Sequence, residues 1–278
     1  MDWIDALILG IIQGLSEYLP ISSSGHLEIF KQVLGVDLDP DASLEFSVML
    51  HVATVLSTIV VLWREFWPLC VSFFTFRRDD RFFYVCKILL SCIPVAIVGL
   101  FFKDAISALF EGNLKVVGAC LLVTAALLAF AYFTRTEPAL KNPAGAKPAR
   151  DITWLDAFII GCGQAVAVLP GLSRSGTTIA TGILLGDKRE QVAKFSFFMV
   201  IIPILGEGLL DIKEMISPDA AAVAAGASVG MLPLLTGFLA SFIVGCMACK
   251  WMIDIVKKGK LVWFAVYCVA AGALCLLY

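Results

Sequence analysis

Residues 13–26 read QGLSEYLPISSSGH, and this polar stretch interrupts what would otherwise be one long apolar helix over residues 3–34. Pro20 and the serines after it leave each apolar piece shorter than the ~20 residues that a helix needs to cross a bilayer. Such a break is tolerated at membrane depth only where protein or a wet cavity covers the freed backbone groups. The stretch therefore predicts a re-entrant helix pair that turns at residues 20–26, and we call the whole polar stretch, residues 13–26, the first tip.

The rest of the chain is typical of an all-α integral membrane protein. Its 278 residues are 60% hydrophobic and 16% charged, and the mean hydropathy is +0.91. Six segments have the length and composition of transmembrane helices. They cover residues 45–63, 83–102, 114–133, 192–210, 229–249 and 261–278. The net charge of -2 argues against a nucleic-acid partner, which requires a concentrated basic surface.

A second apolar region, residues 154–186, is broken in the same way and predicts a second re-entrant pair. A shift of 151 residues aligns the two regions with nine identities in 24 positions, which we interpret as an internal repeat. The identical positions include Trp3 and Trp154, Gln13 and Gln164, Ser22 and Ser173, and Ser24-Gly25 and Ser175-Gly176. The second turn, residues 171–178, is called the second tip.

The repeat predicts how the single membrane domain, residues 1–278, is organised. The halves, residues 1–133 and 154–278, each hold one re-entrant pair and three spans, and residues 134–153 form a linker. Because three is odd, the second half must enter the membrane from the opposite face, which makes the repeat inverted in topology. Of the 21 basic residues, 16 fall on the linker's side and four on the other, with Arg174 in the second tip. The positive-inside rule then places both termini outside the cytoplasm, and the first re-entrant pair opens outward.

The first tip carries groups suited to acid–base chemistry. Gln13 and Glu17 are four residues apart and share one helix face. An ionisable residue at membrane depth is expensive, so Glu17 is a functional candidate, although it could also be solvated at the interface. Hydroxyls, a flexible backbone point and a titratable imidazole follow as Ser22, Ser23, Ser24, Gly25 and His26. The other histidine, His51, lies in an apolar span, and we interpret it as a helix-packing residue.

The second tip has the composition of an anion site. Residues 170–178 read PGLSRSGTT, with Arg174 between two serines where a helix is predicted to begin. A guanidinium can bind two oxygens, while helix N-terminal amides and the helix dipole favour negative charge. The predicted phosphate-binding residues are Ser22, Ser24 and Gly25 in the first tip and Ser173, Arg174, Ser175, Gly176, Thr177 and Thr178 in the second. Alternatively, Arg174 could form a structural ion pair with Glu17.

The two tips can meet in the middle of an inverted repeat. Together they supply a carboxylate, an imidazole, a guanidinium and several hydroxyls, which suits phosphoryl transfer because that chemistry depends on positioning and charge neutralisation. A divalent cation, Mg²⁺ or Ca²⁺, held by Glu17 and the substrate's phosphates would fit the same site.

QGLSEYLPISSSGH followed by PGLSRSGTT resembles the undecaprenyl-diphosphate phosphatase family of bacitracin-resistance membrane proteins. The resemblance covers essentially the whole chain. It implies hydrolysis of undecaprenyl diphosphate to undecaprenyl phosphate and inorganic phosphate, at an outward-facing site in the bacterial cytoplasmic (inner) membrane. That reaction recycles the cell-wall lipid carrier. The lipid diphosphate and the bilayer are then the partners, and a homodimer is compatible with this picture.

The family's proposed site maps onto Glu17, Ser23, His26, Ser173, Arg174 and Thr178. Where the family's first motif often has glutamate, this chain has Gln13, which makes Gln13 the weaker candidate for a metal ligand. Three nucleophiles stay open at this point: Ser23 activated by His26, His26 itself, or a water activated by a metal or by Glu17. A polyprenyl-phosphate flippase or anion-coupled transporter is the alternative function, because inverted repeats with broken helices also build secondary transporters.

Overall fold

The computed structural model describes residues 1–102, 114–136, 149–169, 171–215 and 229–277, and these contain eleven α-helices and no β-strand. The helices, numbered in chain order, are α1 Trp3–Ser16, α2 Ser23–Leu34, α3 Pro40–Val61, α4 Trp63–Phe74, α5 Asp80–Phe101, α6 Leu114–Ala131, α7 Trp154–Val166, α8 Arg174–Leu185, α9 Arg189–Met215, α10 Met231–Lys257 and α11 Val262–Leu277. A π-helical turn, Tyr132–Thr136, follows α6. Pro170 and residues 137–148 of the predicted linker lie outside the described residues.

The two broken regions fold as the predicted pairs of short helices. α1 and α7 have 14 and 13 residues, and each begins with a capping box, formed by Asp2 and Asp5 in one and by Thr153 and Asp156 in the other. α2 and α8 have 12 residues each. At 1.5 Å per residue, none of the four is long enough to cross a bilayer.

Four helices are long and apolar enough to cross a membrane by length and composition. They are Ala42–Val61, Asp80–Phe101, Leu114–Thr136 and Met231–Lys257, and each contains or overlaps one of the six predicted spans. The other two predicted spans correspond to α9, a longer helix with charged ends, and to α11, a shorter apolar helix of 16 residues. The count of six spans stays a prediction. The structure also contains α4, which the sequence did not predict as a separate helix.

The short first helix of each half packs against a long helix of the other half. α1 lies against α10, and α7 lies against α5. Both contacts are close enough to require glycine: a Cβ atom at Gly10 would collide with the Gly237 carbonyl oxygen, and one at Gly161 would collide with the Ser91 carbonyl oxygen. The 151-residue shift aligns Gly10 with Gly161. The same small residue therefore docks each short helix.

Two further contacts link corresponding helices of the halves. α6 packs against α11, and α3 packs against α9. A large buried apolar cluster, which includes Leu121, Ile160, Ile179, Phe195 and Met252, fills the space between them. The tips lie within this packed interior, where their backbone breaks are covered by protein as the bilayer requires.

Candidate active site

The two tips contact each other directly. The Ser175 hydroxyl donates a hydrogen bond of 3.1 Å to the Leu19 carbonyl oxygen, across 156 residues of sequence. Gly25 faces Gly171 so closely that a Cβ atom added to Gly25 would lie 3.2 Å from the Gly171 Cα. The prediction that the two serine-rich turns come together is confirmed for the residues described here.

A cavity lies where the tips meet. Its polar lining comes from α3, α7, α8, α9 and the segment that follows α1, and its apolar lining comes mainly from α9. The polar residues that line it are Glu17, Tyr18, Thr54, Thr58, Gln164, Arg174, Ser175, Thr178 and Ser196. A carboxylate and a guanidinium therefore line one cavity.

Glu17 is the centre of the polar contacts on the first side of this cavity. Its side chain is only 8% exposed, so it is not solvated at an interface. Glu17 Oε2 accepts hydrogen bonds from the Ser23 hydroxyl at 2.8 Å and from the Gln13 amide at 3.0 Å. His51 Nε2 lies 3.9 Å from the same oxygen. The carboxylate thus holds the Ser23 hydroxyl in the geometry of a general base and its nucleophile.

His51 does more than the packing role that the sequence suggested, because its ring reaches the Glu17 carboxylate. It also lines a second cavity, between α3 and α9. Ile204 borders both cavities. A polar residue in an apolar span was the available signal, since such residues face a partner or a wet space.

His26 is buried, and neither of its ring nitrogens forms a hydrogen bond with Ser23. Nδ1 lies 2.9 Å from the Ser22 carbonyl oxygen, and Nε2 lies 2.7 Å from the Tyr267 hydroxyl. Because a carbonyl oxygen can only accept, Nδ1 carries the proton, and neutral Nε2 accepts from Tyr267. The two rings also stack, with centroids 5.6 Å apart. Tyr267 lies on α11, 241 residues from His26, and no local pattern in the sequence pointed to it.

The second tip presents Arg174 as the first residue of α8. Ser173 caps this helix by accepting a hydrogen bond of 3.0 Å from the Gly176 amide. Within the described residues the Arg174 guanidinium forms neither a hydrogen bond nor an ion pair, so the alternative ion pair with Glu17 is not formed. The cation is therefore available to an anionic ligand at a helix N-terminus.

A protein-family model described as "Bacitracin resistance protein BacA" matches residues 6–274, and this match shows the family. The chain belongs to this family. The resemblance drawn from the two motifs is thereby confirmed.

Relatives in this family align with nearly the whole chain. A protein from Bacteroides fragilis named "Undecaprenyl-diphosphatase" is 52% identical over 272 residues, which cover 98% of this chain and 96% of that protein. One of the same name from Bacteroides thetaiotaomicron is 52% identical over 273 residues, covering 98% and 97%. A more distant one from Methanosphaera stadtmanae is 36% identical over 289 residues, covering 98% and 96%.

Most of the site residues that the sequence predicted fall into two groups in this structure. Glu17, Arg174, Ser175 and Thr178 line the cavity, and Ser23 reaches it through Glu17. The others support the tips: Ser22 Oγ accepts from the Gly25 amide at 3.3 Å and lies 3.4 Å from Ser24 Oγ. Ser173 and Gly176 form the matching cap in the second tip. Thr177 Oγ1 is buried without a hydrogen-bond partner among the described residues.

The family motif also predicted a metal site at Gln13 and Glu17. The described residues contain no group of three or more His, Cys, Asp or Glu side chains that could hold a metal ion. One observation fits a cation that binds together with the substrate. Gln13 Oε1 is buried and has no hydrogen-bond partner among the described residues. Glu17 and Gln13 together therefore offer uncommitted oxygen atoms. Mg²⁺ is commonly bound by one or two carboxylates plus substrate phosphates.

Proposed function

We propose that this chain hydrolyses undecaprenyl diphosphate to undecaprenyl phosphate and inorganic phosphate, recycling the cell-wall lipid carrier and thereby conferring bacitracin resistance. The observation that carries the proposal is one cavity that joins the Glu17–Ser23 hydrogen bond to the uncommitted Arg174 guanidinium. The family description and the names of the relatives support the same reaction.

Arg174 and the amino terminus of α8 bind the terminal phosphoryl group in this proposal. The guanidinium takes two non-bridging oxygens, and the helix dipole adds positive potential at the same point. Charge on these oxygens is what a phosphoryl-transfer site must stabilise, and it does so best with groups held in place before the reaction. Ser173 holds the first turn of α8, which keeps Arg174 at the cavity.

Ser23 is the nucleophile that the geometry favours among the three left open by the sequence. Its oxygen attacks the terminal phosphorus, its proton passes to Glu17, and the bond from phosphorus to the bridging oxygen breaks to release undecaprenyl phosphate. Water then hydrolyses the phosphoserine and releases inorganic phosphate. His26 supports this arrangement from behind, because its Nδ1 holds the carbonyl oxygen of the residue before Ser23.

A divalent cation held by Glu17 and the Gln13 amide oxygen would neutralise charge on the diphosphate. Gln13 and Glu17 lie four residues apart at the end of α1, with their side chains in contact. Two protein oxygens leave most of the cation's coordination positions to the substrate's phosphates and water, which suits Mg²⁺.

The topology of the proposed enzyme is an inverted repeat with both termini outside the cytoplasm and a site that opens outward in the bacterial inner membrane. The equal lengths of α2 and α8, and the pairing of α1 with α10 and of α7 with α5, support the repeat. The distribution of basic residues supports the orientation. The oligomeric state, including a homodimer, stays a prediction.

Phosphate release from undecaprenyl diphosphate by the purified protein in detergent tests the proposal. We expect steady release by the wild type, a large loss in Glu17→Ala and Ser23→Ala, and a loss on adding a chelator if the cation takes part. A pure flippase or transporter would release no phosphate in detergent, where there are no two compartments. Absence of release from the wild type, with and without added Mg²⁺ or Ca²⁺, would rule the function out.

A further inference from the structure

Gln164 is a fully buried glutamine with an unusual lack of partners. Its exposure is 0%, it lines the cavity beside Glu17 and Arg174, and neither Oε1 nor Nε2 has a hydrogen-bond partner among the described residues. Buried polar side-chain atoms nearly always have partners, because leaving them unpaired is costly. Two unpaired atoms on the side chain of a residue that lines a cavity therefore point to a ligand.

The counterpart of Gln164 in the first half has a hydrogen-bond partner that Gln164 lacks. Gln13 occupies the same position in α1, and its Nε2 donates to the Glu17 carboxylate. In α7 the position that corresponds to Glu17 is Val168, so Gln164 has no carboxylate of its own helix to bind. A residue that served packing alone at this site would be better as an apolar side chain.

The other polar groups of the cavity have already committed their hydrogens. Tyr18 donates to the Thr54 carbonyl oxygen, Ser175 to that of Leu19, and Thr178 to that of Arg174. The remaining lining hydroxyls are committed in the same way, those of Thr54 and Thr58 to backbone carbonyl oxygens and that of Ser196 to Thr178. Among the described lining residues, the uncommitted donors are thus the Arg174 guanidinium and the Gln164 amide.

We propose that Gln164 is a substrate-contacting residue that recognises a terminal phosphoryl group bearing a hydroxyl. The amide Nε2 donates to a non-bridging oxygen, and Oε1 accepts the hydrogen of the P–OH group. This rests on the proposed function, because it places the terminal phosphate in the cavity. It also defines a substrate class: diphosphates with an unsubstituted terminal phosphate, whose second pKa near 6 leaves a fraction protonated at neutral pH.

An acceptor at this position predicts discrimination between two inorganic anions. Phosphate carries a P–OH hydrogen at neutral pH and can satisfy both amide atoms, whereas sulfate has no hydrogen to donate. A site of donors alone would bind the two alike. The wild-type protein should therefore be inhibited more strongly by inorganic phosphate than by sulfate at equal ionic strength.

The test uses three variants of the full-length protein in detergent. Gln164→Met keeps an unbranched side chain and removes both amide atoms, Gln164→Glu keeps the shape but places a carboxylate against the anion, and Gln32→Met is a matched control at an exposed position near the end of α2. For each we would measure kcat and KM for undecaprenyl diphosphate, inhibition by phosphate and by sulfate, and the thermal unfolding midpoint.

We expect Gln164→Met to lose about 10- to 100-fold in kcat/KM, as for a hydrogen bond to a charged group, and to lose the preference for phosphate over sulfate. Its unfolding midpoint should equal or exceed that of the wild type, and Gln164→Glu should lose more activity. Wild-type activity and anion preference in Gln164→Met would overturn the proposal, as would an active wild type with no preference. If Gln164→Met does not fold, the kcat/KM of Gln164→Glu is compared with that of Gln32→Met. A lower value in Gln164→Glu supports the proposal, and equal values overturn it.

The proposed function can fail separately from the role of Gln164. If the wild type releases no phosphate, equilibrium binding of inorganic phosphate and sulfate to the wild type and to Gln164→Met still measures the preference. Weaker phosphate binding by Gln164→Met would keep Gln164 as a phosphoryl-recognition residue, and equal binding would refute it.

Discussion

The two tips share a scaffold and differ in their chemistry. α2 and α8 have the same length, each begins after a serine N-cap, and each ends at a glycine in the left-handed conformation, Gly35 and Gly186. The first residue of the helix is Ser23 in one copy and Arg174 in the other, and the fourth is His26 in one and Thr177 in the other. The two tips thus share the residues that shape the turn and divide the reactive groups between them.

The backbone strain also differs between the tips. In the second tip the positive φ falls on Gly171, at 81°, which glycine adopts at little cost. In the first tip it falls on Ser22, at 70°, directly before the proposed nucleophile. A non-glycine residue in this region is held there by its surroundings, and such residues concentrate at functional sites. The copy that carries Ser23 is therefore the strained one.

Removing either the base or the nucleophile of the first tip gives the largest expected effect. Glu17→Gln and Ser23→Ala should each lower kcat by about 10²- to 10⁴-fold, because each loses one partner of the hydrogen bond that activates the serine. Residues that act as a unit are not additive, so the double variant should lose no more than the worse single variant. Phosphate release under saturating substrate measures all three.

Two outcomes would change the division of roles in the first tip. If Ser23→Ala keeps a kcat within a few-fold of wild type while Glu17→Gln loses most of its activity, the attack is assigned to a water activated by Glu17. Additive losses in the double variant would separate the two residues into independent functions. Ser16→Ala, whose hydroxyl bonds to the Ile12 carbonyl oxygen within α1, is a control for a lost serine hydroxyl nearby.

The second tip is tested by Arg174→Lys. An ammonium keeps the charge but cannot make the two parallel hydrogen bonds of a guanidinium, so we expect a loss of about 10²- to 10³-fold in kcat/KM. Arg77→Lys, at an exposed position, is the matched control and should keep wild-type activity. An Arg174→Lys variant that releases phosphate at the wild-type rate would remove Arg174 from the anion site.

Much of this architecture could be predicted because the signals were local. Pro20 and the serine clusters marked the breaks, and the 151-residue shift placed α2 and α8 in the same register. The groups that the sequence missed belong to distant helices: Tyr267 and Ser196 reach the tips only through packing. The sequence could not show whether the Ser23 hydroxyl would bond to Glu17 or to His26, because this depends on how the chain turns at Ser22. α4 was missed because its apolar face is too short to be read as a span.

Tyr267→Phe should have a smaller effect, again on the first tip. Among the described residues, the second tip has no histidine–tyrosine contact of this kind. The variant keeps the stacked ring but removes the hydrogen bond to His26 Nε2, so the imidazole is less well fixed. We expect a loss of up to about 10-fold in kcat with little change in KM, and a changed pH profile of kcat. Tyr132→Phe is the control. An unchanged rate and pH profile would show that Tyr267 does not position His26.

The smallest effect concerns stability and a feature that only the second half has. The buried carboxylates of Asp156 and Asp187 share Arg150, whose nitrogens lie 2.7 and 3.7 Å from them. In the first half Asp5 matches Asp156, but Val36 stands where Asp187 would be. Burial, followed by the nearby Asp156 charge, raises the pKa of Asp187 to about 6 from 3.8. This loop carboxyl is thus easier to ionise when the protein unfolds.

The sign of the pH dependence follows from that raised pKa. The folded protein holds the Asp187 proton more tightly, so the contribution of Asp187 to stability is greatest below pH 4 and is lost as the pH rises to about 6. Asp187→Asn should remove this loss and raise the unfolding midpoint by about 2–6 °C relative to wild type at pH 7. Asp151→Asn is an opposite control, because a hydrogen bond from Lys188 lowers the pKa of Asp151, whose ionised form stabilises the fold at pH 7. Equal midpoints for wild type and Asp187→Asn from pH 4 to 7 would show that Arg150 fully compensates the buried pair.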